Sequence, residues 1–468
     1  MQTFLFYDIE TTGLNKAFDQ VIQFAAIRTD LEFNELERNE LKITLNRDVI
    51  PSAYATITHR LTLAEIAQGC SELEAMQKIH GWLNYPGTIS LGYNTLGFDD
   101  EFLRFSFYRN LLPPYSHQFA NQCGRADIYP LAIMYYLFKP AQLSWPKING
   151  KTSLKLEQLN KANQLAPGRA HHAMVDVEAT LALAKRLASE PSMWNYLLGF
   201  FNKQIDQQRL HALEHNEGLM IDGLFGEECA YQAPVLHLGA HRHYKNQLLW
   251  LRLDHAKLSK TDFDTIPQTT WVQNKKLGEP SFILPFKSRF TQHLTAERLA
   301  LTEANKQWLN HHPELLDAIK EYYAEYQYPV FPQTDSSARL YLNGFWTREE
   351  QQWCQRFHTT ESSHQKAKLL DQITNPSLQQ LALRILGRHY PDSLSMSHQQ
   401  QFSDYIKTIY FPKTGKHALI DYQGKKHMTV PDVLQDITQL REENTLDTQQ
   451  IALLEELKAY LQQQLNTP

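Results

Sequence analysis

Phe4-Leu5-Phe6-Tyr7-Asp8-Ile9-Glu10-Thr11-Thr12-Gly13-Leu14 is the stretch on which the reading of this chain turns. Its apolar start predicts a strand over Thr3–Tyr7 running straight into two acids. On a strand, residues two apart point to the same side, so Asp8 and Glu10 project together. Neighbouring carboxylates repel, and a fold that keeps them side by side calls for a compensating cation. Thr11, Thr12 and Gly13 then supply a turn whose backbone can approach a phosphate or sugar closely. An Asp-x-Glu pair alone is commonly just a solvated strand end, so the rest of the chain decides.

Two later segments carry matching chemistry. Gly92-Tyr93-Asn94, followed by Phe98-Asp99, sits at a strand-to-helix junction. An aspartate there is routinely an N-cap or first-turn carboxylate, and Asp100 stands next to it. His171-His172-Ala173-Met174-Val175-Asp176 leads into an Ala/Leu-rich helix. Five helical steps turn by about 500°, so His171 cannot share a helix face with Asp176. It fits the irregular entry after Pro167-Gly168, where it can swing.

Working outward, residues 1–190 read as α/β. Strands are predicted at Val21–Arg28, Leu41–Leu45 and Thr88–Tyr93. Helices are predicted at Glu72–Leu83, Asp99–Arg109, Asp127–Phe138, Leu154–Asn163 and Ala173–Ala188. Short connections early suit antiparallel strands, and later strand–helix alternation suits parallel ones. Residues 191–345 contain short β-like runs between Gly218 and Phe290, which suggest a small barrel. Residues 346–468 look helical.

At 468 residues, two or three domains are expected. The start lacks a basic leader and a long apolar core, so it does not read as a signal peptide. No run approaches the ~18 apolar residues that span a bilayer, so a soluble, cytoplasmic protein without a membrane partner is expected. Cys70, Cys123, Cys229 and Cys354 are too scattered for a zinc site or a disulfide framework. The net charge of −5 hides two basic stretches. One runs through Arg125, Lys139, Lys147, Lys151, Lys155, Lys161 and Arg169. The other runs from Arg242 through Arg252, Lys275 and Lys276 to Arg289.

Asp-x-Glu, then Asn-x-x-x-Phe-Asp, then His-x-x-x-x-Asp resembles the DEDD-type 3′–5′ exonucleases of the histidine subclass. Further segments are similar to the exodeoxyribonuclease I family. They include Gln23–Asp30, Phe107-Tyr108-Arg109-Asn110, Leu159–Asn163 and Leu342-Asn343-Gly344-Phe345. The resemblance implies an RNase H-like domain, an SH3-like barrel and a helical C-terminal domain, closed as a C-shaped clamp around single-stranded DNA. It implies that Asp8, Glu10, Asp99 and Asp176 hold two Mg²⁺ ions, with Mn²⁺ able to substitute, and that His171 is the general base. The family's spacing selects His171 over His172 and Asp99 over Asp100.

The family pattern also implies substrate contacts at Glu10, Thr11, Asn94, Arg104, Tyr115, Phe119 and Lys155. It carries over one residue, Lys139, of the basic ridge that takes the acidic C-terminal tail of single-stranded DNA-binding protein. A monomer acting in DNA repair and recombination is implied. Ser153-Leu154-Lys155 departs from the family's Ser-Phe-Arg, losing a stacking ring and a bidentate fork. Two other readings compete: the same chemistry with a preference for RNA, and a silent clamp that only binds strands. Four clustered carboxylates beside a polyanion argue against the silent clamp.

Overall fold

The computed structural model describes residues 1–169, 171–411, 419–443 and 445–466. Its first sheet contains β1 (Thr3–Thr11), β2 (Val21–Thr29), β3 (Glu35–Lys42), β4 (Thr88–Gly92) and β5 (Gly124–Asp127). The order is β3-β2-β1-β4-β5. β1, β2 and β3 are antiparallel, while β4 and β5 run parallel to β1. β1 is therefore central, and its alternating side chains are buried on both faces. Phe4 and Phe6 enter one core, with helix Ala173–Ala188. Leu5, Tyr7 and Ile9 enter the other, with helices Glu72–Leu83 and Asp99–Arg109.

Two strands differ from expectation. β3 ends at Lys42, because the Leu41/Ile43/Leu45 alternation leaves the ladder and Ile43 bridges Cys70 instead. β5 was unforeseen: Gly-Arg-Ala-Asp has no apolar alternation to announce it. Asp127 belongs to that strand and caps the helix Ile128–Phe138 by accepting from the Tyr129 N–H at 3.0 Å.

A second sheet is antiparallel throughout, in the order Val272–Lys276, Gln247–Arg252, Gln232–Ala240, Glu217–Ile221, Phe282–Pro285. It forms the SH3-like barrel. Helices Ala296–His311 and Pro313–Glu325, which the sequence reading did not foresee, pack beside it. From Arg348 onward the chain is helical, ending in Thr448–Asn466. This helical unit shares a core with the first one. Ala17, Leu73, Phe105, Tyr108 and Leu111 pack among Leu340, Trp353, Phe357 and Leu386. A buried ionic seam reinforces that junction. Arg388 Nη2 reaches Asp48 at 2.6 Å, and Arg109 Nη2 reaches Glu72 at 3.0 Å.

The four cysteines are unpaired. Among the described residues, no helix is long and apolar enough to cross a membrane.

Candidate active site

β1 ends in the acidic pair. Asp8 and Glu10 project from it toward the first turn of helix Ala173–Ala188, which lays Asp176 against them. One carboxylate oxygen from each of Asp8, Glu10 and Asp176 lies within 4.8 Å of the others. Asp99 opens its helix beside this group, buried, with Oδ1 accepting from the Ile9 N–H at 3.2 Å. Its carboxylate adds to the repulsion on Asp8 but stands outside the tight trio. His171 lies in the entry before the helix with φ 61°, and its N–H donates to Asp176 Oδ2 at 3.0 Å. Its ring points to Glu157, with Nε2 3.3 Å from Oε2. His172 instead lies 3.9 Å from Glu40.

The electrostatics are those of buried acids that repel one another. Burial first, then their acidic neighbours, raise Asp8 well above the ordinary carboxylate range. Burial likewise raises Glu10 and Asp99, and for Glu10 the charges of Asp176 and Asp99 add to it. Burial raises Asp176 too, against the pull of His171. Arg169 eases Glu10 slightly. Oxygen-only donors this close together fit a hard divalent cation, which would relieve both the desolvation and the repulsion.

Surrounding loops are fixed by hydrogen bonds. Asp127 Oδ1 accepts from the Asn94 N–H at 2.8 Å, and Oδ2 accepts from Leu96 N–H at 3.1 Å. This holds Asn94 at φ 62°, exposed at the edge of the site. Burial pushes Asp127 up to about 6, despite these donors. The Thr-Thr-Gly turn is tied internally. Thr11 Oγ1 donates to Gly13 O at 2.7 Å, and Thr12 Oγ1 donates to Asp19 Oδ1 at 3.2 Å. A Cβ at 13 would lie 2.4 Å from Asp19 Oδ2, and so would displace a carboxylate held by the Asn15 N–H and the Thr12 hydroxyl.

The carboxylates line a cleft of about 980 Å³. Its other wall comes from far along the chain, chiefly Asp421, Tyr422, Gln423, Lys425, Lys426 and His427. Sequence reading missed this wall, since no motif marks it.

The remaining predicted contacts divide. Phe119 is 68% exposed, and Tyr115 packs edge-on to Phe345 at 5.5 Å. Lys155 is exposed at the start of helix Leu156–Asn163. Neither ring nor Lys155 lines the cleft. Arg104 corrects the expectation of a surface contact. It is 5% exposed, pairs with Asp100 Oδ2 at 2.8 Å and with Glu101, and lies over the Tyr115 ring. Leu154 is core, its carbonyl accepting from the Tyr93 hydroxyl, so a stacking role there is absent.

Lys139 is half-exposed and bonded to Glu190 at 3.1 Å. Much of the basic character is likewise already paired. Arg125 reaches Asp100 and Glu279, and Lys275 is fully buried against Asp206 at 2.8 Å.

Comparison with known proteins gives a consistent picture. An "Exonuclease" family model matches residues 5–184, and an "Exonuclease I C-terminal domain" model matches residues 334–464. Exodeoxyribonuclease I of Escherichia coli K12 is 29% identical over 438 residues, covering 88% of this chain and 90% of the relative. The solved structure of E. coli exonuclease I with a dA16 oligonucleotide superposes with a TM-score of 0.87 at 24% identity. That match covers 99% of this chain and 100% of the other. A structure of SSB/exonuclease I with an inhibitor gives 0.84 at 24% identity with the same coverage.

Proposed function

The chain belongs to the exodeoxyribonuclease I family, and from that premise we propose that it hydrolyses single-stranded DNA from the 3′ end, releasing 5′-mononucleotides. The observation that carries this reading is the convergence of Asp8, Glu10 and Asp176 within 4.8 Å, in a cleft walled by both ends of the chain.

On this reading Asp8, Glu10, Asp99 and Asp176 hold two divalent ions, Mg²⁺ by preference and Mn²⁺ as a substitute. Bound there, the ions supply positive charge that stabilises the phosphorane-like transition state and the leaving oxygen. The protein's own groups do the rest. His171 leaves Glu157, turns toward the scissile phosphate and takes a proton from the attacking water. The water oxygen forms a bond to phosphorus as the P–O3′ bond breaks. The shortened strand keeps a 3′-hydroxyl, whose proton comes from solvent, and the nucleotide departs with its 5′-phosphate. Glu10, Thr11 and Asn94 position the terminal nucleotide, while Phe119 and Tyr115 offer ring faces to bases without reading sequence. Lys155 attracts backbone phosphate.

A cleft closed by a second domain favours successive cuts over release, so the enzyme acts processively, as a monomer, in DNA repair and recombination. A second partner fits the surface: the acidic C-terminal tail of single-stranded DNA-binding protein, displacing Glu190 from Lys139. The test is a 5′-labelled single-stranded DNA incubated with Mg²⁺, with and without EDTA, using wild type and Asp176→Ala. A ladder shortening from the 3′ end, absent with EDTA and in the variant, supports the reading. Intact DNA in every lane overturns it, and faster hydrolysis of the matched RNA would reassign the substrate.

A further inference from the structure

Among the described residues lining the cleft, the lysines and arginines are Lys16, Lys425 and Lys426. The Lys16 ammonium is committed to Gly97 O at 2.7 Å. Lys425 and Lys426 are exposed, and their side chains make no ion pair or hydrogen bond with any described residue. They share a cavity with four repelling carboxylates and approach none of them. Exposed lysines are ordinarily a solvated surface, so the backbone beneath them matters.

That backbone is built to hold a position. Asp421 Oδ1 accepts from the N–H groups of Gln423 at 2.8 Å and Lys425 at 2.9 Å. Its Oδ2 accepts from Asn15 Nδ2 at 2.9 Å, tying the loop to the segment that follows the Thr-Thr-Gly turn. Gly424 sits at φ 77°, with Phe331 packed so close that a Cβ would lie 2.7 Å from the ring. Tyr422 stacks on Phe105 at 5.3 Å, and His427 lies on Phe18 at 4.9 Å. A loop pinned to the catalytic unit at three points presents its two free cations from a set place.

We infer that the loop Asp421–Lys426 is a phosphate-holding element of the active site, in which Lys425 and Lys426 take backbone phosphates of the single strand whose end lies at the carboxylates. The inference rests on the DNA-hydrolase reading. Its chemistry follows from charge placement. A polyanion entering a cleft with acids on one wall is held off that wall unless cations opposite offset the cost. Burial disfavours the Lys16 charge, and the charge of Lys425 adds to that while Glu101 opposes it, so two segments of the chain bring cations to one cleft. An anion there relieves that crowding.

The test measures binding of a fluorescent oligothymidylate to the full chain in EDTA, across a salt titration. Each phosphate contact on a single strand contributes about 0.7 to the slope of log K against log salt. Lys425→Ala and Lys426→Ala are each expected to reduce the slope by ~0.7, and the double variant by ~1.4. Lys425→Arg with Lys426→Arg should keep the wild-type slope, which a packing role would not predict. In the Mg²⁺ reaction the double Ala variant should raise KM while kcat stays near wild type. Lys320→Ala, on an outer helix paired with Asp317, serves as the control and should change nothing. An unchanged slope in the double Ala variant, with normal wild-type binding, overturns the inference. Wild-type protein that binds no oligonucleotide would instead overturn the functional reading beneath it.

Discussion

His171 and Glu157 are paired, imidazole Nε2 to carboxylate Oε2 at 3.3 Å, while the backbone of the same histidine donates to Asp176. One residue therefore touches the carboxylate cluster through its main chain and a neighbouring helix through its side chain. Both members of the pair are substantially exposed, and such pairs contribute only ~0–1 kcal/mol. Breaking this one to reach a water is cheap. Rapid-quench measurement of a single turnover should show His171→Ala slowed roughly 10²–10⁴-fold, the usual range for a lost general base. Glu157→Gln should change the rate by less than about fivefold, the rate equivalent of that pair energy. Equal losses in the two variants would assign the base role to the pair rather than to the histidine.

The raised carboxylates make a thermal prediction. A folded-state pKa above the unfolded value of ~4 stabilises the protein below that pH, and the benefit is lost as pH climbs through the raised value. Asp8, Glu10 and Asp99 are all raised, so metal-free protein loses their contribution as pH climbs above ~4 and through those raised values. A divalent ion competes with protons for the same oxygens. Scanning calorimetry should therefore show a Mg²⁺-induced rise in Tm that is larger at pH 8 than at pH 5, on the order of ~2–4 °C per kcal/mol of binding in a large domain. Asp176→Asn should shrink it. A rise independent of pH would argue that the ion binds elsewhere.

Arg388 is the keystone of the seam between the first and last units, with Asp48 on one side and Glu72 at 3.6 Å on the other. All three are buried. Arg388→Ala leaves the buried Asp48 carboxylate without its paired cation, while Glu72 keeps Arg109, a loss of about 3–5 kcal/mol. Urea unfolding followed by tryptophan fluorescence should register it. A change below ~1 kcal/mol would mean that the seam relaxes by admitting water.

Phe119 and Arg104 should separate cleanly. Phe119→Ala should weaken single-strand binding by ~1–3 kcal/mol, the worth of one stacked base, and leave Tm alone. Arg104→Ala should instead destabilise the fold by about 1–3 kcal/mol, because Glu101 loses its guanidinium partner while Asp100 keeps Arg125 and His117. Fluorescence anisotropy and thermal unfolding on both variants distinguish the two roles.

What was legible in the sequence is what local periodicity encodes. β1 announces itself by an apolar run, and strand alternation alone puts Asp8 and Glu10 on one side. The helix after His171 is equally plain, and with it the place of Asp176. What escaped depends on partners distant in sequence. Asp127 looks like an ordinary cap until Asn94 and Leu96 are seen bonded to it. The second basic stretch looks like a free surface until Lys275 is found buried on Asp206. Arg104 follows Asp99 on a helix and so invites a role at the site, yet its side chain faces Asp100 and Glu101. Lys425 and Lys426 share a cleft with the carboxylates only because the chain's last third folds back over its first.

The core shared by Phe105, Tyr108 and Leu111 with Trp353, Phe357 and Leu386 bears on how this protein can change over evolutionary time. Units joined by a flexible tether can be traded between genes as independent modules. Here the seam is interior, and cutting it would strip both halves of covering and leave large apolar faces in water. The hydrolytic unit and its helical partner are therefore bound to a common history: a substitution at Phe105 is answerable to residues far along the chain, as Tyr341 and Tyr422 already show by packing on its ring. Variation is free to accumulate on outer faces, where side chains meet solvent and not one another.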